Sequence, residues 1–191
     1  MSSIKIAVGG AHSTGKSTFL KRLAASLRDR GVSCEVVSDL ASKCPLPILK
    51  NHTIESSLWI VASGVAAEIK ATYAAKVALV DRPVVDAWAY LMAGKNGTTQ
   101  NFDSPGAITL QNTIRDWLPT YDLVYKSCLD ESIPIENAKG RVLDASYRTE
   151  VARQMERSYD HFDVPSRDLA VANADAALNF ALQRVDQALC T

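Results

Sequence analysis

Residues 4–20 read "IKIAVGGAHSTGKSTFL", an apolar run that gives way to glycines and then to a lysine among hydroxyl side chains. The run from Ile4 to Val8 is interrupted only by Lys5, and its length and glycine boundary predict a buried strand. From residue 16 to residue 30, apolar side chains recur at helical spacing, and Gly31 stands where a helix C-cap is expected. The stretch therefore predicts a strand, a loop and a helix in direct succession.

The predicted loop, "GAHSTGKS" at residues 10–17, matches the pattern GxxxxGK followed by Ser or Thr. In such a loop the glycines let backbone amides point at phosphate oxygens, and the following helix adds the positive end of its dipole. We expect Lys16 to bind the β- and γ-phosphates of ATP, and Ser17 to bind Mg²⁺. The nucleotide-binding residues predicted here are Gly10, Ala11, His12, Ser13, Thr14, Gly15, Lys16, Ser17 and Thr18. For His12 we favour a solvent-facing position over contact with phosphate or acceptor.

A second apolar run, "VALVD", ends in Asp81 and predicts a strand that carries an acid at its carboxyl end. Beside a phosphate-binding loop, a carboxylate in this place is typical of a magnesium ligand, so we expect Asp81 to share the metal with Ser17. Arg82 follows directly and is a candidate catalytic cation for a phosphoryl group. A surface ion pair is the alternative for Arg82.

The predicted second strand, residues 32–39, ends in Asp39, and we expect that strand to lie next to the phosphate loop. A carboxylate there is placed to accept the proton of an attacking hydroxyl group, which is the task of a kinase base. Asp39 is therefore a candidate catalytic residue, with a helix or turn cap as the alternative.

Four arginines, at positions 141, 148, 153 and 157, follow a polar, proline-containing stretch. This spacing puts at least some of them on one side of a helix after a loop. We expect a lid at approximately residues 128–157 whose Arg141 or Arg148 reaches the transferred phosphoryl group, while a solvated helix face is the alternative.

Strands and helices alternate along the rest of the chain, which predicts an α/β fold with a parallel sheet covered on both faces. We expect one domain spanning residues 1–191. The further helices are predicted at residues 53–76, 84–92, 107–118, 146–161 and 174–189, and the further strands at residues 121–127 and near residues 167–171.

Composition excludes several classes of protein. Lys plus Arg and Asp plus Glu both number 21, so no overall charge draws the chain to nucleic acid or membrane. The 4 cysteines are widely spaced and form no zinc pattern. Because we find neither a signal sequence nor an apolar segment of membrane-spanning length, we expect a cytoplasmic protein without a membrane partner.

Several segments together resemble the P-loop kinases of the nucleoside and nucleotide kinase group. They are "GGAHSTGKST", "VVSDLAS", "VDRPVVDAWAYL" and "YDLVYKSCLDESIPIENAKGRVLDASYRTEV". More narrowly, the chain is similar to the AAA-type ATPase and kinase family that includes the nicotinamide riboside kinase domain. The resemblance implies a five-stranded parallel sheet, ATP with Mg²⁺, Lys16 and Ser17 in the loop, Asp39 facing the acceptor, Asp81 and Arg82 at the active centre, and Arg141 and Arg148 in a lid.

The chain departs from that family after its second strand, where "DLASK" lacks the family's Ala-Arg pair. Asp86 matches an acidic position of the family, and either an acceptor-side role or a helix cap fits it. Similar small kinases occur in bacteriophages, including some that resemble enzymes acting on a hydroxymethylated pyrimidine in DNA.

We therefore expect an ATP-dependent kinase that acts on a hydroxyl or phosphate of a nucleoside- or nucleotide-like acceptor. A kinase for a hydroxymethylated pyrimidine carried in DNA is one alternative, and a regulatory P-loop ATPase or GTPase switch is the other. The sequence leaves open the choice between ATP and GTP. It also leaves open whether the helix at residues 53–76 pairs with a second copy to form a homodimer or packs on its own sheet.

Overall fold

The computed structural model describes residues 3–38, 40–95, 97–130 and 144–190. Strands and helices alternate, as the apolar periodicity predicts. The strands are β1 (Ile4–Gly9), β2 (Cys34–Val37), β3 (Val77–Asp81), β4 (Leu123–Ser127) and β5 (Ser166–Leu169). The helices are α1 (Lys16–Asp29), α2 (Ile54–Ala74), α3 (Val85–Ala93), α4 (Pro105–Trp117), α5 (Ala145–His161) and α6 (Ala174–Leu189).

The strands form a five-stranded sheet in the order β2-β3-β1-β4-β5, and every pair is parallel. This confirms the predicted fold class. The expectation that the second strand lies next to the phosphate loop is wrong, because β3 lies between β2 and β1. The central strands β1 and β3 are apolar almost throughout because helices cover both of their faces.

Two apolar cores lie on the two faces of the sheet. Helices α1 and α6 cover one face, where Leu23 and Val185 are fully buried. Helices α2, α3, α4 and α5 cover the other face, where Leu91, Ile114 and Val151 are fully buried. Parallel strands end at one edge, so the loop after β1 and the residues after β3 and β4 meet there.

Lys5, the polar interruption of the first strand, lies inside the protein and forms an ion pair with Glu68 of α2. Its Nζ atom lies 3.0 Å from a Glu68 carboxylate oxygen. Glu68 also accepts hydrogen bonds from Trp117 Nε1 at 2.7 Å and from the Tyr121 hydroxyl at 2.9 Å. Because each of these polar groups has a partner, the cluster is compatible with an apolar core.

Two helix starts follow the expected local chemistry. At α2, Thr53 accepts a hydrogen bond from the Ser56 amide while the Ser56 hydroxyl accepts one from the Thr53 amide. At α5, Asp144 accepts a hydrogen bond from the Tyr147 amide. Among the described residues, no helix combines the length and apolar character that crossing a membrane requires.

Candidate active site

Residues 10–15 form the loop that joins β1 to α1 at the carboxyl edge of the sheet, and the last two residues of the GxxxxGK[ST] pattern, Lys16 and Ser17, begin α1. The succession of strand, loop and helix is as predicted. Gly15 precedes α1 and has no side chain to cap it, so the amides of the first helical turn lack a cap from that residue. Lys16 is 5% exposed, and its Nζ atom donates to the Ala11 carbonyl and, at 3.3 Å, to the Thr14 hydroxyl. The lysine ammonium group therefore lies inside the curve of the loop, beside the helix start, where anions are favoured.

Ser127, at the end of β4, supports the loop through hydrogen bonds of its hydroxyl group. No sequence pattern around Ser127 predicted this contact. Its hydroxyl donates to the Gly9 carbonyl at 2.8 Å and lies 2.6 Å from the Thr14 hydroxyl. Gly10 has a φ of +125°, and a Cβ atom there would lie 2.1 Å from the Ser127 hydroxyl oxygen. The glycine is thus required both by its backbone conformation and by this close approach.

Ser17 and Asp81 meet although 64 residues separate them in the chain: the Ser17 hydroxyl donates to an Asp81 carboxylate oxygen at 2.8 Å. Hydroxyl and carboxylate oxygens are ligands that Mg²⁺ prefers, and Mg²⁺ needs few protein ligands when phosphates and waters complete its shell. No group of three or more His, Cys, Asp or Glu side chains forms a metal cluster within the described parts of the chain. The donor set at Ser17 and Asp81 therefore fits magnesium bound together with a nucleotide.

The side chain of Arg82 packs against Gly10, the first residue of the loop. Its guanidinium group donates to the Gly10 carbonyl at 3.0 Å and lies 3.5 Å from the carboxylate of Asp86. The same group lies 4.9 Å from the centre of the Tyr90 ring. Its side chain is only 16% exposed, so the ion pair considered as an alternative exists, but it lies beneath the loop and not on the surface.

His12 is buried at 3% exposure, so the solvent-facing position favoured from the sequence is wrong. Its Nδ1 atom lies 3.4 Å from the Tyr90 hydroxyl, and its ring packs near that of Tyr147. Helices α3 and α5 cover this part of the loop, and their contribution could not be deduced from the loop sequence alone.

A cleft of about 1040 Å³ begins at the loop and extends between β2, α2 and α3. His12, Lys16, Ser17, Asp81 and Arg82 line one part of it. The other part is lined mainly by residues from the segment between β2 and α2 and from α2 and α3, among them Lys43, Leu49, His52, Ile60, Glu68 and Tyr90. The cleft is therefore large enough for a small organic molecule beside the phosphate loop.

His52 forms part of the wall opposite the loop. It is 3% exposed, its ring lies 5.9 Å from that of Tyr90, and its Nδ1 atom lies 3.2 Å from the Leu49 carbonyl. Burial lowers the pKa of His52 to about 4, with the nearby charge of Arg82 adding to the effect and the hydrogen bond to the Leu49 carbonyl opposing it. The imidazole is therefore neutral at neutral pH, and with the Tyr90 ring it forms an uncharged, aromatic part of this wall.

The predicted acceptor-side and lid residues have different outcomes. Asp39 and Arg141 lie outside the described residues, and so does most of the polar stretch before α5. Arg148 is described: it lies in α5, the helix that packs on α3, and is 4% exposed. Arg153 is an exposed partner of Glu150, as expected for a solvated helix face.

An ion pair links the start of α5 to the far wall of the cleft. Lys50, two residues before His52, pairs with Asp144, and its ammonium group lies 5.7 Å from the centre of the Tyr147 ring. Lys50 holds the pKa of Asp144 well below its usual range, with the Ser146 hydroxyl and the Tyr147 amide adding to the effect. The wall that carries His52 and the first turn of α5 are thus held together.

Comparisons with known proteins agree with this architecture. The profile of the family described as "AAA domain" matches residues 5–175. A deoxyadenosine kinase from M. mycoides with bound dATP superposes with a TM-score of 0.64 at 15% identity, covering 96% of this chain and 99% of that chain. A NadR protein in complex with NR superposes with a TM-score of 0.65 at 15% identity, covering 88% of this chain and 45% of that chain. The comparison with curated protein sequences gave no match.

Proposed function

The chain belongs to the AAA-domain family, and on that premise we propose that it is an ATP-dependent kinase whose acceptor is a nucleoside or nucleotide. The observation that carries the proposal is the cleft itself: its wall holds Lys16, Ser17 and Asp81, and its volume continues past them toward His52 and Tyr90. A protein that only bound and hydrolysed a nucleotide would not need that second part. Both structural neighbours named above support the proposal, since one is a deoxyadenosine kinase and the other was solved with NR.

In this proposal Lys16 binds the terminal phosphates, and Ser17 and Asp81 hold Mg²⁺. The metal, when bound, neutralises charge on the phosphates. Asp39 orients the acceptor hydroxyl and accepts its proton, while Arg82, Arg141 and Arg148 balance charge on the transferred group. The chain's task is therefore mainly to position two substrates and exclude water, because phosphoryl transfer needs little covalent help from a protein.

The charges in the cleft favour an acceptor with a neutral ring. His52 is neutral at neutral pH, and the described carboxylates of the cleft are already committed: Glu68 pairs with Lys5, Asp86 pairs with Arg82, and Asp81 is the proposed magnesium ligand. A cationic ring such as that of nicotinamide riboside would find, among the described residues of the cleft, no carboxylate that is not already committed to a cation or to the metal. We therefore propose a neutral nucleoside or its monophosphate as the preferred acceptor.

The test is a transfer assay with γ-labelled ATP or GTP, Mg²⁺ and separate acceptors: neutral nucleosides, their monophosphates, nicotinamide riboside and hydroxymethylated DNA. Label on a neutral nucleoside or nucleotide supports the proposal. Label on the DNA alone, falling steeply as salt is added, would establish the DNA-borne acceptor instead. Label found only in inorganic phosphate with every acceptor would overturn the kinase assignment in favour of a nucleotide switch.

The base is tested separately with Asp39→Asn, and Asp116→Asn on the exposed face of α4 is the matched control. We expect the Asp39 variant to lose transfer by roughly 100-fold or more while its ATP affinity is unchanged, because general base catalysis typically contributes about 10²- to 10⁴-fold. The control variant should match the parent protein in both measurements. Unchanged transfer in Asp39→Asn would exclude Asp39 as the base.

A further inference from the structure

Asp86 has a carboxylate that is buried directly beneath the phosphate loop, at 2% exposure. One carboxylate oxygen accepts a hydrogen bond from the Gly10 amide at 3.0 Å. The other accepts one from the Tyr159 hydroxyl of α5 at 3.3 Å. The Arg82 guanidinium group, 3.5 Å away, supplies the opposite charge.

The segment from Arg82 to Asp86 therefore binds both the backbone amide and the backbone carbonyl of Gly10. Asp86 binds its amide and Arg82 donates to its carbonyl, at 3.0 Å in each case. Both side chains follow Asp81, the proposed metal ligand, by one and five positions. The contacts thus connect the first residue of the phosphate loop to the segment that carries the metal-binding carboxylate.

Gly9, which lies outside the phosphate-loop pattern, is explained by this arrangement. A Cβ atom at Gly9 would lie 2.0 Å from the Tyr159 hydroxyl and 2.5 Å from Asp86 Oδ1. A side chain at this position would push α5 and Asp86 away from the strand. Gly10, the second glycine of "GGAHSTGKS", therefore adopts the backbone conformation that the loop requires. Gly9, the first, leaves space for Tyr159 and Asp86, which hold the loop in place.

These contacts bear on both roles that fit Asp86 from the sequence, a helix cap and an acceptor-side acid. The helix α3 is preceded by Val84, and the carboxylate of Asp86 is directed to the loop rather than to the amides of its own first turn. Asp86 lines the cleft, but the contacts of its two oxygens run to the Gly10 amide, the Tyr159 hydroxyl and Arg82 rather than to an acceptor. This geometry favours a role in holding the loop over a role as helix cap or as base.

We infer that Asp86 is a positioning residue for nucleotide binding: together with Arg82 and Tyr159 it fixes Gly10, and so sets the phosphate loop against the metal-binding end of β3. The inference uses the proposed kinase reaction only for its kinetic readout, because nucleotide binding can be measured without any acceptor. Burial raises the pKa of Asp86 to about 6, against the lowering effects of Arg82, Lys16, the Gly10 amide and Tyr159. The Tyr121 hydroxyl, from the segment before β4, also interacts electrostatically with this carboxylate.

The test compares Asp86→Asn and Tyr159→Phe with two matched surface controls, Asp116→Asn and the fully exposed Tyr73→Phe. Affinity for ATP with Mg²⁺ is measured by calorimetry at pH 7.5. We expect Asp86→Asn to lose roughly 10- to 100-fold in affinity, the range for a hydrogen bond to a charged group, and Tyr159→Phe roughly 3- to 10-fold. The controls should bind like the parent protein.

Three outcomes are decisive. Unchanged ATP affinity in a folded Asp86→Asn variant overturns the inference, and loss of transfer with unchanged affinity would make Asp86 an acceptor-side residue instead. If Asp86→Asn does not fold, Tyr159→Phe decides, because it removes a single hydroxyl group.

A variant weakened only in stability would keep the parent affinity below its unfolding transition, whereas loss of a positioning residue lowers the ATP affinity of the folded protein. If the proposed kinase function fails, the binding measurements still stand.

Discussion

The buried pair of Lys5 and Glu68 makes a sharp prediction about stability. Lys5 is 4% exposed and Glu68 is 1% exposed, so replacing either partner leaves the other as a buried charge. We expect Lys5→Met and the nearly isosteric Glu68→Gln each to lower the free energy of unfolding by about 3 to 5 kcal/mol. Lys5→Met belongs at the lower end, since Trp117 and Tyr121 still donate to the carboxylate.

The double variant removes both charges at once, so its loss should be smaller than the sum of the two single losses. We expect it to be destabilised by about 2 to 3 kcal/mol, which gives a coupling of at least about 3 kcal/mol. Each single variant should melt roughly 6 to 20 °C below the parent protein, since about 1 kcal/mol shifts the melting temperature of a chain this long by roughly 2 to 4 °C.

The assay is urea unfolding followed by circular dichroism and tryptophan fluorescence, with the free energies taken from a double-mutant cycle. The matched control is the pair of Arg30 and Asp186, whose atoms lie 2.8 Å apart but whose side chains are 45% and 55% exposed. That pair should show a coupling of no more than about 1 kcal/mol. If the losses at Lys5 and Glu68 were additive within about 0.5 kcal/mol, burial would not couple the two charges and the reasoning would be refuted.

Three further predictions concern the loop and the cleft. Gly10→Ala should reduce ATP affinity at least roughly 10-fold in calorimetry, because its Cβ atom would collide with the Ser127 hydroxyl and its φ of +125° disfavours alanine; unchanged affinity would contradict this. Ser17→Ala should raise the Mg²⁺ concentration needed for half-maximal transfer, with little change in metal-free nucleotide binding, since one of the two proposed metal ligands is lost. His52 has a folded-state pKa of about 4 against 6.5 unfolded, so its contribution to stability is complete above pH 6.5 and is lost as the pH falls toward 4. The difference in unfolding free energy between the parent protein and His52→Gln should therefore decrease by up to about 3 kcal/mol over that range, and a difference independent of pH would show that His52 is not buried neutral.

Much of the candidate site at the carboxyl edge of the sheet could be predicted from the sequence, because the patterns that indicate it are local. The spacing of apolar residues specifies β1 and α1, and the GxxxxGK pattern lies between them where a phosphate loop requires it. Asp81 was identified as the acid at the end of an apolar strand, and the structure places it 2.8 Å from the Ser17 hydroxyl. Two parallel strands with ends at the same edge bring such residues together whatever the details of the packing.

Other features depended on strand order and helix packing. β2 is separated from β1 by β3, so Asp39 follows a strand that is not the loop's immediate neighbour. Its proposed role, like that of Arg141, stays a prediction. His12 is buried because α3 and α5 supply Tyr90 and Tyr147 around it, and these residues lie far from the loop in the chain.

Residues 4–31 therefore specify a strand, a phosphate-binding loop and a helix without help from the rest of the chain, because turn geometry and amphipathic periodicity are short-range properties. Their partners were decided by tertiary packing: Ser127 beneath the loop, Asp86 on the Gly10 amide 76 residues away, and Glu68 on Lys5. The local sequence pattern identifies Lys5 only as a polar residue in an otherwise apolar strand, and Asp86 only as an acidic residue in a helix. The role of each residue follows from its burial beside an opposite charge. A charged side chain is tolerated in the protein interior only where the fold supplies a partner for it.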